Sequence, residues 1–427
     1  MVCGIPEIWW RSGRNPDGRW SGRIRQPDPC GQIPGGQIQP AKPKGHTEFM
    51  TTSWALSRSL ERIGQLCLEV LDDKELRRGV LAELGRMAPF SAFAWPLSDP
   101  GSATGIAPMA RIPCPEELPD LIRLKYLTTY CRWTALMGQP RPAMTLLMAT
   151  DGQPARSPLW NGLLVRYGVR DVLSTVFADK HGCWGWLDLW RGVDDGRFSE
   201  SETDYLATAA PLLAAGLRRS RAAQCRRDAE GSGPAWQAVR KPLPAQAVLT
   251  LDERLAVVGQ TASAADWLGL LQRGPQPYEG IPAEVLNVAA QLLAREAGVD
   301  THLAMSRVPV GHVAWAILRS TRLDAGQPGA TPPLAVTIQE CPAADRLEVF
   351  ARCFALTPQQ HRLLGLAAGG LSTAELAAAL RIRPYTVQDQ FKAVFTACGV
   401  RSRGALLGLA LGTAAVPADA RQETGGP

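Results

Sequence analysis

The chain has 427 residues, 45% of them hydrophobic and 20% charged, which allows two to four domains with cores of their own. Its net charge of +6 is too mild to indicate nucleic acid by itself. Ten cysteines with no C-x-x-C spacing argue against zinc or dithiol redox chemistry and read as free, buried thiols of a cytoplasmic protein. No charge-free apolar run reaches the roughly 18–20 residues of a membrane span, and no basic-then-apolar leader opens the chain, so no membrane partner is expected.

Residues 1–49 hold seven prolines and eight glycines and no apolar period, too little to offset their ordering entropy. They read either as a disordered tail or as an extension upstream of a start at Met50. Leu56, Leu60, Ile63 and Leu66 then recur at helical spacing, and a second helix is expected over 74–87. Ser91–Leu97 reads as a buried strand. A Gly/Pro-rich loop and a helix near 116–133 follow. Asp171–Ala178 and Cys183–Arg191 read as antiparallel strands around a turn at 179–182. Ser199, with Glu202 three residues on, caps a helix over 200–221.

The polar, Gly/Pro-rich stretch 226–244 reads as a linker. Beyond it a hairpin is expected from 246 to 258, a short helix at 266–271, and a helix at 282–298 with Pro at its start and Gly at its end. Strands follow at 302–308, 310–319 and 334–339. No internal repeat is evident. The order of elements over 50–225, closed by "FSESETDYLATAAPLLAAGL", resembles a GAF-like sensor domain. Residues 245–342 are similar to a PAS-like domain; a degenerate second GAF-like module or a connecting domain fits as well.

Residues 354–412 carry six basic side chains (Arg362, Arg381, Arg383, Lys392, Arg401, Arg403) and two acidic ones (Glu375, Asp389), a net +4. Local signals divide the segment into four helices. Thr357 caps the first, with Pro358 behind it, and Gly369-Gly370 ends it. Ser372 and Glu375 form a capping box for the second. Arg381–Arg383 make a turn, Pro384 opens the third, Gly399 ends it, and Ser402 caps the fourth. On the third helix Val387, Phe391, Val394 and Phe395 share a buried side, leaving Gln388, Asp389, Lys392 and part of Thr386 on the other. Two helices around a three-residue turn, with a polar face on the second, suit the DNA major groove.

The residues Leu356-Thr357, Ala368–Gly370, Leu371–Ala377, Leu380, Ile382, Tyr385–Asp389, Lys392, Val394-Phe395, Gly399-Val400 and Ser402-Arg403 resemble the LuxR-type helix-turn-helix family. The resemblance implies a four-helix DNA-binding domain over 343–416, then a disordered tail over 417–427. It makes the third helix the recognition helix, with Gln388, Asp389 and Lys392 in the groove. Thr373, Thr386 and Arg403 approach the DNA backbone, and Arg383, Tyr385 and Arg401 flank the set. This chain departs from the family pattern at Gln359-Gln360, Arg383, Gln390 and Ala397, so the relatives' operator is not carried over.

The fold class expected is therefore multidomain: an α/β sensor region, GAF-like then PAS-like, followed by an all-α four-helix LuxR-type domain. The expected partners are double-stranded DNA, a second copy of the chain as a homodimer, and a small-molecule or protein effector. Trp184, Trp186 and Trp190 alternate on one strand and so share one face. With Trp133, Trp160 and Phe177 they could line an apolar effector pocket, although such a stripe is more often plain core. No Walker loop, G-x-S-x-G or H-E-x-x-H is found, and neither catalysis, a metal nor a cofactor is expected.

Overall fold

A computed structural model describes residues 45–70, 72–230, 242–272, 280–311, 314–324 and 331–412. Residues 1–44 of the tail expected over 1–49, the tail expected after 416 and the middle of the expected linker lie outside these residues, while residues 45–49 are helical, not tail. The chain builds two antiparallel five-stranded sheets followed by a helical C-terminal region.

Helices α1 (Gly45–Glu69) and α2 (Asp73–Met87) lead into β1 (Ala92–Ser98) and β2 (Gly105–Arg111). The Asp72 carboxylate caps α2 by accepting from the amides of Lys74 and Glu75, a device worth about 1 kcal/mol. Strand β2 falls in the stretch read as a loop. It includes Pro108, which a sheet tolerates at an edge, and β2 is the edge strand of its sheet. The single helix expected near 116–133 is two, α3 (Leu118–Leu127) and α4 (Trp133–Leu136), separated where Cys131 takes a positive φ of 51°. Short β3 (Ala143–Thr145), α5 (Leu146–Ala149) and α6 (Pro158–Gly162) precede the long hairpin β4 (Val169–Asp179) and β5 (Gly182–Gly192).

The sheet runs β2-β1-β5-β4-β3. Trp186, Asp188 and Trp190 pair with Val176, Ser174 and Val172, so one face carries all six. Helices α3 and α4 cover it: Trp133 stacks on Trp186 at 4.0 Å and Tyr126 meets Trp133 edge-on at 4.7 Å. Lys125 reaches Asp188 at 2.8 Å inside the same layer, and Ser174 donates to that carboxylate.

Helix α7 (Glu200–Glu230) packs on β3, β4 and β5. It opens as expected: Ser199 Oγ accepts from the Glu202 amide and Glu202 accepts from the Ser199 amide. It does not end near Arg221, however. It continues to Glu230, so residues 226–230 of the expected linker are helical. Composition reads this stretch as loop; contacts with the C-terminal region, described below, hold it in the helix.

The second sheet comprises β6 (Ala247–Leu251), β7 (Val257–Gln260), β8 (Met305–Pro309), β9 (Trp315–Arg322) and β10 (Leu334–Glu340), with α8 (Ala264–Leu271) and α9 (Ala283–Glu296) between β7 and β8. Its order, β7-β6-β10-β9-β8, repeats that of the first sheet when each is counted from its own first strand. The structure thus contains a topological repeat that the sequence does not display. Strand order survives while side chains diverge, because pairing uses the backbone.

Helix α9 lies between the two sheets, packed on β8, β9 and β10 on one side and on α3 and β2 on the other. Its polar stripe is buried and bonded. Glu284 accepts from the Ala107 amide at 2.9 Å, Asn287 donates to the Gly105 carbonyl at 3.0 Å, and Gln291 accepts from Arg132 at 3.1 Å. The first two bonds satisfy backbone groups of the open edge of β2.

The C-terminal region is α10 (Ala343–Cys353), α11 (Pro358–Ala368), α12 (Thr373–Leu380), α13 (Pro384–Cys398) and α14 (Arg403–Leu411). Helices α10 and α14 both pack on α7. Arg307 of β8 ties all three regions together. It grips Asp99, just beyond β1, through two bonds of 2.7 Å and reaches Glu348 of α10 at 2.6 Å. No single helix among the described residues is long and apolar enough to cross a membrane.

Candidate nucleic-acid interface and the joint behind it

The surface on α12 and α13 is built by local chemistry. The Thr357 hydroxyl accepts from the Gln360 amide while Gln360 accepts from the Thr357 amide, a reciprocal box that starts α11. Ser372 and Glu375 repeat it at α12. Arg381 closes α12 in the left-handed region, with φ 55°, and the Ile382 amide returns to the Ala377 carbonyl at 3.0 Å. Pro384 then starts α13 with its φ already fixed. Gly399, at φ 72°, ends α13, and Ser402 caps α14.

Val387, Phe391, Val394 and Cys398 are buried; their spacing of three and four puts them on one side of α13. Phe395, expected on that side, is half-buried. Tyr385, Gln388, Asp389 and Lys392, at the complementary spacing, are exposed, as are Arg381, Arg383 and Arg401 around them. Tyr385 is 60% exposed, a large aromatic ring left in water at the start of the helix. Lys392 pairs with Asp389 at 3.2 Å. Thr373 and Thr386 are half-buried.

Arg403 sits differently. Its guanidinium donates to the carbonyls of Ala367, at 3.1 Å, and Leu371 and lies 5.7 Å over the ring of Phe391. It ties α14 to the end of α11 and to the floor of α13, facing into the domain.

The six aromatic residues read as lining an effector pocket do not converge. Trp133 and Trp186 are stacked together under α3 and α4. Phe177 packs on Trp95 at 5.2 Å, and Trp160 donates to the Val169 carbonyl. Trp184 leaves the face of Trp186 and Trp190, because the pairing slips between Phe177 and Ala178. It donates to Asp179, which also accepts from Arg218 of α7. Simple alternation missed this bulge, whose signal is Gly185 at φ 155°. An open cleft of about 490 Å³ lies elsewhere, lined by Asp179, Lys180, Cys183, His302 and Arg352 among others.

No family model matches this chain, and no curated protein does.

Behind the exposed face of α13 lies a joint with α7. Arg226 of α7 donates to the Cys398 carbonyl at 3.1 Å and to the Ala397 carbonyl at 3.2 Å. Its guanidinium stands 4.9 Å over the ring of Phe354. A cation there meets the negative end of the α13 dipole and satisfies carbonyls left free at the helix terminus. Arg352 of α10 likewise donates to the His181 carbonyl in the β4–β5 turn at 2.9 Å. Sequence reasoning found none of these residues. Arg226 falls in a stretch that reads as linker, and a single arginine has no pattern to betray its partner.

Proposed function

We propose that the chain is a sequence-specific DNA-binding transcription regulator of the LuxR type, with α12 and α13 as its helix-turn-helix and α13 as the recognition helix. One observation carries the reading: the helix after a three-residue turn exposes Tyr385, Gln388, Asp389 and Lys392 on a single face, ringed by Arg381, Arg383 and Arg401. Gln388, Asp389 and Lys392 would address base edges. The arginines, with Thr373, Thr386 and Tyr385, would address phosphates. Arg403 is assigned to hold the domain together rather than to touch DNA. The two sheets form the sensor region, GAF-like and then PAS-like, and their shared strand order equally allows a second GAF-like module. A dimer on two half-sites and a small-molecule or protein effector complete the proposal.

The test is selection of random duplex DNA by the full-length protein near physiological salt, followed by a salt titration on the enriched site. An enriched inverted repeat is expected. The double variant Gln388→Ala, Lys392→Ala should lose this selectivity, at about 1–3 kcal/mol per base contact. Its thermal stability should stay within about 0.5 kcal/mol, because both side chains are exposed. A double variant that enriches the same sequence would refute the placement of the recognition helix. A second reading, a sensor module whose helix-turn-helix contacts protein instead of DNA, is favoured by the pairing of Lys392 with Asp389, which neutralises the one lysine on that face.

A further inference from the structure

The open cleft of about 490 Å³ has walls from all three regions of the chain. Pro100 and Gly101, just beyond β1, and Asp179–Gly182, in the β4–β5 turn, belong to the first sheet; His302 precedes β8, and Arg352 comes from α10. The volume falls within the about 300–1,000 Å³ of small-molecule sites. Ala103, Ala178 and Met137 supply apolar surface, and Cys183 adds a neutral thiol, pushed by burial up to about 11. The charged groups divide. Asp179 is already satisfied: its carboxylate accepts from the His181 amide at 2.8 Å, from Trp184 at 3.0 Å and from Arg218 at 2.9 Å. Lys180 is exposed and has no hydrogen bond or ion pair among the described residues. Arg352 donates to the His181 carbonyl at 2.9 Å and shares Glu348 with Arg307. His302 directs Nδ1 to Asp300 at 2.7 Å, which orients the ring and leaves Nε2 as its other polar atom. Two cations thus line the cleft against one carboxylate that three donors already hold.

We propose that this cleft binds a small organic anion, a carboxylate or phosphate on a compact apolar body, held by Lys180 and Arg352. Lys180 offers a point charge with three donors, and Arg352 a planar fork suited to either anion. The apolar body lies against Ala103, Ala178 and Met137. Engaging Arg352 draws on the guanidinium that ties α10 to the β4–β5 turn and holds Glu348. Glu348 also accepts from Arg307, which grips Asp99, the neighbour of Pro100 in the cleft wall. The anion thereby biases the seat of α10, which packs on both α11 and α14, by the difference in its affinity for the two arrangements. Its role as the effector rests on the regulator reading above; its binding in the cleft does not.

The experiment titrates the full-length protein with benzoate and with phenyl phosphate, with benzamide as the neutral control, by calorimetry and by amide exchange. Saturable binding of at least one anion at millimolar concentration or below, and not of benzamide, is expected, with slower exchange at Gly101, in the β4–β5 turn and in α10. The two anions separate a carboxylate ligand from a phosphate one. Lys180→Glu, at an exposed turn position, should weaken binding about tenfold, roughly twice the worth of an exposed ion pair, and leave thermal stability unchanged. Arg352→Gln should weaken it as well, but it also removes the donor to the His181 carbonyl, so the Lys180 variant decides. No binding of either anion, equal binding of benzamide, protection confined to other parts of the chain, or binding indifferent to Lys180→Glu would each overturn the proposal. An anion that binds as expected while DNA selection stays absent with and without it would count against the regulator reading and leave the cleft assignment standing.

Discussion

Counted from its own first strand, each sheet runs in the order 2-1-5-4-3, yet the two are stabilised in different ways. The first has two strands of 11 residues and a face filled by the Trp133–Trp186 stack and the buried Lys125–Asp188 pair. The second has strands of 4 to 8 residues, and the helix on its inner face, α9, is buried on both sides. One strand order thus yields one sheet with its own core and one that shares a helix with its neighbour. A free-standing domain would show a solvated stripe on α9; here that stripe is spent on β2 and Arg132.

The sharpest way to break this dependence is Arg307→Ala. The substitution strands Asp99, which is fully buried, and should cost about 3–5 kcal/mol. Chemical denaturation should then change from one transition to two, with amides of β8–β10 exchanging before those of β4 and β5. A single shifted transition would show that α9 alone suffices to couple the sheets.

A weaker probe is pH. Burial alone would raise the Asp99 carboxyl, but the bonds from Arg307 and from the Ser102 and Gly101 amides hold it below the ordinary aspartate range. The same contest, won by the bonds from His302 and Arg132, holds the Asp300 carboxyl well below that range as well. A depressed carboxylate contributes stability that is present above its unfolded value of about 3.9 and lost as pH falls toward the folded value. Urea midpoints should therefore fall as pH drops below about 4, with amides at the junction of the two sheets released first. In Arg307→Ala the Asp99 part of this acid sensitivity should reverse sign, since the stranded carboxyl is relieved by protonation.

The smallest effect is expected from Glu284→Gln. Burial raises the Glu284 carboxyl, against the bond from the Ala107 amide. A raised carboxyl penalises folding as pH climbs above its unfolded value. The neutral amide can still accept from Ala107, so the variant should match the parent near pH 4 and exceed its urea midpoint near pH 8. Equal midpoints at both would show that Glu284 is charged and compensated.

These residues also show what was legible in advance. The helices around the exposed face of α13 could be read because their determinants are local: Thr357, Ser372 and Ser402 cap helices a few residues away, and Pro384 and Gly399 mark the ends of one. The hairpin β4–β5 and most of the second sheet were readable from apolar runs between turn residues. What binds the molecule together was not. Asp99 and Arg307 are 208 residues apart in sequence, and nothing in the residues around either announces the other. Glu284, Asn287 and Gln291 occupy the spacing of a solvated helix face, and only the presence of β2 and Arg132 against them reverses the reading. Pro108 concealed β2 itself, and Gly185 redirected Trp184 from the face that alternation assigns.

Helix α7 has 31 residues, so at 1.5 Å per residue it is a rod about 46 Å long. One end starts beside the β4–β5 hairpin, and the other holds the last carbonyls of α13 through Arg226. Treated as a lever of about 39 Å from Glu200 to Arg226, a tilt of about 3° at the first end moves the Arg226 contact by about 2 Å. That travel exceeds the roughly 0.5 Å within which a hydrogen-bonding constellation must be held. A disturbance in the first sheet too small to alter its packing is, at the far end of this rod, large enough to take a row of side chains out of register.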